Sequence, residues 1–325
     1  MFPQIPKYQK WLEQEIRKQK FGKAPASLYE PIRYLMGLGG KRLRPMFALL
    51  SYSLFREDAR SIVPYALAVE SFHNFTLMHD DIMDKAPLRR GKVTVHEKWN
   101  INTAILSGDV MLIKVYDLFL SLEPVKMKTV LTAFNLCAAE VCEGQQWDME
   151  FETTRQVSEK QYLQMIRLKT AALLGFSLEL GAILADASLS DREALREFGT
   201  QIGIGFQLKD DYLDAFSDPK KFGKQVGGDI LANKRTYLLI KALERAEGKT
   251  KKELLFWLNA TKYKGTEKIR AVKEIYSELG IPAIVDRKIN HCFRKGFENL
   301  DKVTGNGSQK EMLKHYTHAL IERQS

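Results

Sequence analysis

The residues of this chain best suited to chemistry are aspartates, arranged as two D-D-x-x-D sets. They are Asp80-Asp81-Ile82-Met83-Asp84 and Asp210-Asp211-Tyr212-Leu213-Asp214. Each set closes an apolar run of helical period, with Leu77 and Met78 before the first and Ile204, Phe206 and Leu208 before the second. On a helix, the first and last Asp of a set stand one turn apart on one face, with the middle Asp beside them. Like charges at that spacing repel. Two such sets call for cations between the carboxylates, and all-oxygen ligands select hard divalent ions. One set alone reads equally well as a solvated acidic helix end. The repetition, and the basic residues around each copy, favour metal.

Magnesium is seldom caged by protein alone and is commonly shared with a phosphate substrate. Such a substrate also needs positive side chains. Gly39-Gly40-Lys41-Arg42-Leu43-Arg44-Pro45 combines glycines that let the backbone approach an anion with cationic donors. It is not a nucleotide P-loop, because Lys41 is followed by Arg42 and no strand precedes it. Taken alone it is an exposed basic turn before a helix. Arg89-Arg90-Gly91 follows the first acidic set, and Pro87 turns the chain so that the arginines can fold back on it. Lys169-Thr170 lies in a helix rich in Leu, Ala and Gly, where a lysine snorkels or enters a polar cavity. Lys224 and Lys234 follow the second set, in a glycine-rich loop and at the next helix start. Lys209, beside Asp210, reads as an exposed charge. His73 stands two turns before Asp80 on nearly the same face; His79 abuts the set but points elsewhere.

These side chains need helices to position them, and helical periodicity dominates. Apolar-rich segments run over 62–83, 106–122, 130–141, 161–184, 192–214, 235–245 and 251–258. Breaks fall at 37–40, Pro87, Gly91, Pro124, 223–228, Gly248, Gly265, Pro282 and 305–307. Apart from short Val/Thr pieces near 93–95, no run alternates as a strand does. No low-complexity linker divides the 325 residues. The expectation is one all-α domain over 1–325, a bundle of ten or more helices. Little self-similarity surrounds the two acidic sets. They read as helices facing one another across a shared cavity rather than as a duplicated unit.

The composition, 45% hydrophobic and 28% charged, is that of a soluble globular protein. No apolar run reaches the roughly 18 residues that span a bilayer, so stable membrane insertion is not expected. The polar first twenty residues do not form a signal peptide. Cys137, Cys142 and Cys292 lack a C-x-x-C pattern and suit a reducing, cytoplasmic compartment. The net charge of +10 allows nucleic acid, an anionic surface or a polyanionic small substrate. Without a repeated basic-aromatic pattern, nucleic acid is not the expected partner.

The ordered set of motifs resembles the trans-isoprenyl diphosphate synthases, which make farnesyl, geranylgeranyl and longer polyprenyl diphosphates. The matching pieces are G-G-K-R-L-R-P at 39–45, H-D-D-I-M-D at 79–84, R-R-G at 89–91, K-T at 169–170, F-Q-L-K-D-D-Y-L-D at 206–214, and G-K with N-K-R-T within 223–236. The resemblance implies an all-α fold around a deep central cavity, a homodimer, and three Mg²⁺ ions, with Mn²⁺ as a substitute. It implies metal binding at Asp80, Asp81, Asp84, Asp210, Asp211 and Asp214, with Asp210 the chief ligand of the second set. Arg89, Lys169, Lys224 and Lys234 match positions that hold the allylic diphosphate. Lys41, Arg44, His73 and Arg90 match positions that hold isopentenyl diphosphate. Thr170 and Gln207 match residues near the reacting carbons. The implied reaction ionises the allylic diphosphate and joins the cation to the isopentenyl double bond. Proton loss follows, and no side-chain nucleophile is needed.

In that family the residues before the first acidic set limit product length. Phe75, Thr76 and Phe72 lie five, four and eight positions before Asp80. The pattern favours a twenty-carbon product, then fifteen, then longer chains. Five and eight residues descend a helix by about 7.5 and 12 Å, which suits a cavity floor. At about 100° per residue, however, Phe75 lies well around the helix from Asp80. Two further readings are a class I terpene cyclase and a non-catalytic synthase subunit. Lys41, Arg44 and the complete second set weigh against the first of these; two intact Asp sets weigh against the second.

Overall fold

A computed structural model describes residues 2–217 and 226–323 of the chain. It is all-α, as expected. In chain order come α1 (Gln4–Lys18), α2 (Ala26–Gly37), α3 (Leu43–Ser53) and α4 (Val63–Met83). A hairpin of β1 (Leu88–Arg89) and β2 (Lys92–Val93) follows, paired Leu88 with Val93 and Arg89 with Lys92. Then come α5 (Val95–Lys98), α6 (Ile101–Phe119), α7 (Pro124–Thr153), α8 (Glu159–Ile166), a π-helical turn (Arg167–Ala171), α9 (Ala172–Leu184) and α10 (Leu189–Phe216). Shorter helices Gly228–Leu231, Tyr237–Arg245, Gly248–Asn259 and Gly265–Glu278 precede Ile281–Asp301 and Gly307–Arg323. Among the described residues, no helix is long and apolar enough to cross a membrane.

Local chemistry sets the boundaries. Asn100 caps α6 by accepting from the Thr103 N–H at 2.8 Å. Ser158 and Gln161 form a capping box at the start of α8. Pro124 and Pro282, expected as breaks, stand in the first turns of helices, where a missing N–H leaves no bond unmade. The π turn interrupts the long helix expected over 161–184. Such turns add a residue to the helical ladder and re-aim the side chains they carry. This one carries Lys169 and Thr170. A Cβ at Gly144 on α7 would overlap the Lys169 backbone, so the glycine lets α7 lie directly against the turn.

The chain divides into two compact units. The first holds Met1–Leu136, Phe176–Arg196 and Val303–Tyr316; the second holds Cys137–Gly175, Glu197–Lys302 and Thr317–Ser325. In the first, α4 is buried on nearly every side, from Ala66 through Phe72 to Asp81, as a helix at the centre of a bundle must be. Leu67 and Met78 of α4 pack with Ile32, Leu35, Ala104 and Met111. Phe72 and Phe134 are almost wholly buried, with ring centroids 5.1 Å apart. In the second unit, Phe206 of α10 meets Phe293 edge-on at 5.7 Å, and Phe198 meets Phe297 at 5.8 Å.

Candidate functional site

The first acidic set ends α4. Asp80 is half-buried and Asp84 exposed, whereas Asp81 is 2% exposed. Helical geometry sends Asp81 about 100° around from its neighbour. There it meets Arg89, whose Nε donates to both carboxylate oxygens at 2.8 and 2.9 Å while Nη2 lies 2.7 Å from Oδ1. The hairpin makes this possible by reversing the chain at Arg90 and Gly91, both with positive φ, in the manner of a type I′ turn. Arg89 therefore folds back on the acidic set. Burial raises the Asp81 carboxyl above its ordinary pKa, and Arg89 opposes that shift. Arg90 donates to the Gly39 carbonyl and lies against Gly40.

The basic motif at 39–45 splits into unlike roles. Lys41 is exposed. Arg42, in the left-handed region at φ 47, turns into the core. It pairs with Glu70 at 2.6 Å and Glu13 at 3.2 Å and donates to the Met36 carbonyl at 2.8 Å. A buried cation of this kind must be paired and hydrogen-bonded. Arg44 Nη1 lies 3.0 Å from His73 Nε2. Burial, followed by the charges of Arg44, Arg90, Arg89 and Arg42, holds His73 well below its ordinary pKa. A neutral His73 accepts at Nε2 and thereby orients Arg44.

Phe75, below the acidic set, is half-buried between Phe72 (5.7 Å) and His79 (4.8 Å). Phe72 stands behind it in the aromatic cluster. Thr76 donates to the His73 carbonyl at 2.8 Å. His79 lies against Gly108 on α6, with Nε2 3.2 Å from the Ile105 carbonyl oxygen.

In the second unit, the acidic set lies on the last turns of α10. Asp210 is exposed and Asp211 is 5% exposed. Asp211 accepts from the buried Tyr162 hydroxyl and from Gln207 Nε2 at 3.0 Å. Burial, reinforced by Asp229, raises its pKa to about 7. Asp214 accepts from the Asp229 N–H at 2.9 Å and so anchors the segment that follows. Thr170 donates to Gln207 Oε1 at 3.1 Å, which makes a relay Thr170–Gln207–Asp211–Tyr162. Lys169 pairs with Asp148 at 2.6 Å, and Lys234 lies 3.9 Å from the same carboxylate. Together Asp148, Tyr162, Lys169, Thr170, Gln207 and Lys234 line one pocket. Lys209, expected as an exposed charge, donates instead to the Ile321 carbonyl at 2.7 Å. Lys224 lies outside the described residues.

Sequence reasoning missed Asp148, Tyr162, Asp229 and the inward turn of Arg42. The run Gln145-Gln146-Trp147-Asp148 within an otherwise mixed helix was the available signal for the first. Asp229 is raised to about 6, chiefly by burial, with Lys234 opposing and Asp214, Asp148 and Asp210 reinforcing the shift.

The donor set is carboxylate oxygen throughout, which suits a hard divalent ion. Among the described residues, no three His, Cys, Asp or Glu side chains already converge on one ion position. Asp81 and Asp148 are instead neutralised by Arg89 and Lys169. The first acidic set thus has Arg89 beside it, and in the second unit Lys169 and Lys234 stand beside Asp148, which suits polyanionic ligands. The family model described as Polyprenyl synthetase matches residues 25–279, and the chain belongs to that family. It is 42% identical over 247 residues to the short chain isoprenyl diphosphate synthase of Methanocaldococcus jannaschii, covering 76% of this chain and 75% of that protein. The crystal structure of a geranylgeranyl pyrophosphate synthase superposes with a TM-score of 0.93 at 42% identity, covering 99% of both chains. A polyprenyl synthase from Caulobacter crescentus, complexed with calcium and isoprenyl diphosphate, superposes with a TM-score of 0.82 at 26% identity, covering 94% of this chain and 92% of that one.

Proposed function

We propose that this chain is a chain-elongating prenyltransferase. It condenses isopentenyl diphosphate head-to-tail with allylic diphosphates to give a short all-trans product, with geranylgeranyl diphosphate favoured. The full-length likeness to a geranylgeranyl pyrophosphate synthase carries this reading. The pairing of Asp81 with Arg89 and of Asp148 with Lys169 supports it.

Asp80, Asp81 and Asp84 in the first unit, and Asp210 with Asp211 and Asp214 in the second, would hold magnesium, three ions in all, which when bound would supply positive charge to weaken the allylic carbon–oxygen bond. Arg89, Lys169, Lys224 and Lys234 bind the allylic diphosphate, and Lys41, Arg44 and Arg90 bind isopentenyl diphosphate. His73 acts through Arg44. Thr170 and Gln207 present oxygen atoms toward the developing cation, held in orientation by Asp211. Exclusion of water by bound substrate would strengthen each of these charges. Phe75 keeps exposed surface while Phe72 backs it, which supports Phe75 as the floor that stops chain growth.

Residues 1–325 act as one synthase domain in this reading, in the cytoplasm. Ile105, Ile113, Leu120, Val125 and Leu136 are 40–80% exposed on α6 and the first turns of α7. Such exposed apolar side chains suit a second copy of the chain. Light scattering is expected to return a dimer and denaturation a single transition.

The deciding experiment offers purified protein, Mg²⁺ and isopentenyl diphosphate with five-, ten- and fifteen-carbon allylic partners and sizes the products. A twenty-carbon end product is expected. No elongation with any partner overturns the proposal. Phe75→Ala is expected to lengthen the products, and an unchanged distribution returns Phe75 to the core.

A further inference from the structure

Lys268 is wholly buried, at 0% exposure, in the first turn of the helix Gly265–Glu278. That is a poor place for a cation, since the helix N-terminus already carries partial positive charge. A buried ammonium must therefore find acceptors. Lys268 Nζ lies 2.7 Å from Asn233 Oδ1 and 3.4 Å from the Leu231 carbonyl, with the Tyr263 ring at 4.6 Å. Leu231 closes the short helix Gly228–Leu231, and Asn233 is in the left-handed region at φ 54. Asn233 also donates from Nδ2 to the Leu258 carbonyl at 3.0 Å. Its amide is held at both ends.

The segment so held is the one that carries Lys234. The Lys234 N–H donates to the Asp229 carbonyl at 2.9 Å, and the Thr236 N–H donates to the Lys234 carbonyl at 2.8 Å. The same segment is tied to α10 where Asp214 accepts from the Asp229 N–H. A Cβ at Gly227 would stand 2.8 Å from Ile269, so the backbone lies directly on the helix that bears Lys268. Residues 227–236 thus form a bracket with two fixings. Asp214 fixes one end from the acidic set. The Lys268–Asn233 contact fixes the other, one residue before Lys234.

We propose that Lys268 is a positioning residue for the diphosphate site, acting through Asn233 to set where Lys234 presents its ammonium. This rests on the assignment of Lys234 to the allylic diphosphate. Neither Lys268 nor Asn233 touches substrate; the bracket transmits their effect.

The test measures kcat and KM for the allylic diphosphate in Lys268→Met and Asn233→Gly, each alone and combined with Lys234→Ala. Methionine keeps an unbranched apolar stem without the charge, and glycine accepts the left-handed backbone without the amide. Each single variant is expected to raise KM about tenfold, the size of one charge-assisted hydrogen bond, with kcat changed by less than about threefold. In the Lys234→Ala background neither is expected to raise KM further. A variant that melts earlier but keeps the wild-type KM overturns the inference, as do KM effects that multiply in the double variants. Should Lys268→Met fail to fold, Asn233→Gly decides alone. If Lys234→Ala itself leaves KM unchanged, the diphosphate assignment falls and this inference with it. If Lys234→Ala raises KM and the other two do not, only the inference falls.

Discussion

The two D-D-x-x-D sets share their letters and differ in almost everything around them. In the first, the middle carboxylate, Asp81, is buried against an arginine that reaches it with Nε and Nη2. In the second, the middle carboxylate, Asp211, is buried against a tyrosine hydroxyl and a glutamine amide. A cation stabilises the ionised form of a buried acid, and neutral donors do so less well. Asp211, further disfavoured by Asp229, accordingly rises to about 7. The last aspartates also diverge: Asp84 is exposed, whereas Asp214 holds the start of the segment that leads to Lys234. A repeated motif is thus not a repeated function. In each copy the first Asp keeps exposed surface, and the middle one is buried against its donors.

The largest expected effect tests that division of labour. Asp80→Ala and Asp210→Ala are each expected to lower kcat about 10³-fold with Mg²⁺ and both substrates present, the scale for losing electrostatic stabilisation of a leaving group. Asp211→Asn, which keeps the shape and one acceptor oxygen, is expected to lose only about tenfold. Equal losses at Asp210 and Asp211 would erase the distinction between outer and middle positions. Full rate in either alanine variant would remove metal binding from that set.

Stability should separate the two anchors next. Arg89→Ala leaves Asp81 buried without its cation and is expected to destabilise the protein by about 3 kcal/mol. Tyr162→Phe removes one neutral donor from Asp211 and is expected to cost about 1–2 kcal/mol. Urea denaturation of the metal-free proteins measures both. A larger loss from Tyr162→Phe would reverse the claim that charge holds the first set and neutral donors the second.

The pH dependence of stability gives a third contrast. An aspartate near 7 in the folded chain and near its ordinary value in the unfolded chain holds its proton only when folded across that interval. The unfolded state then binds fewer protons, so stability falls as pH rises from about 4 to about 7, by up to about 1.4 kcal/mol per pH unit. Asp229, raised to about 6, contributes with the same sign. Asp211→Asn is expected to flatten this fall in the metal-free protein, and Asp81→Asn to flatten it less. A curve for Asp211→Asn parallel to that of the parent would show that Asp211 does not carry the proton.

Most helices were legible, because runs such as 62–83 and 192–214 keep apolar spacing through many turns. The acidic sets were legible because carboxylates at one-turn spacing call for cations. The π turn at 167–171 was not, since apolar periodicity passes through it and a Leu/Ala/Gly stretch hides one added residue. Asp148 was not, since one Asp in a long helix looks like a solvated face until Lys169 is brought beside it. Arg42 stands between Lys41 and Arg44 in what looks like a uniform basic motif. Only its left-handed backbone and the burial of Glu70 set it apart. Lys268 was invisible for a similar reason: in a run with Glu267 and Arg270, a buried lysine reads as surface.

The smallest expected effect concerns the relay from Thr170. Its hydroxyl donates to Gln207 Oε1, so the amide must turn Nε2 toward Asp211. Thr170→Val removes that constraint with little change of shape. Gln207 can then turn over, and Asp211 loses a donor that favours its ionised form. Stability is expected to fall by about 1 kcal/mol and kcat by a few-fold, and the Asp211 transition should move to higher pH. Nothing comparable is expected at the first set, where the charge of Arg89 fixes Asp81 without a neutral intermediary. If Thr170→Val leaves the pH dependence of stability unchanged, the relay does not set the protonation of Asp211, and burial and Asp229 alone account for the difference between the two acidic sets.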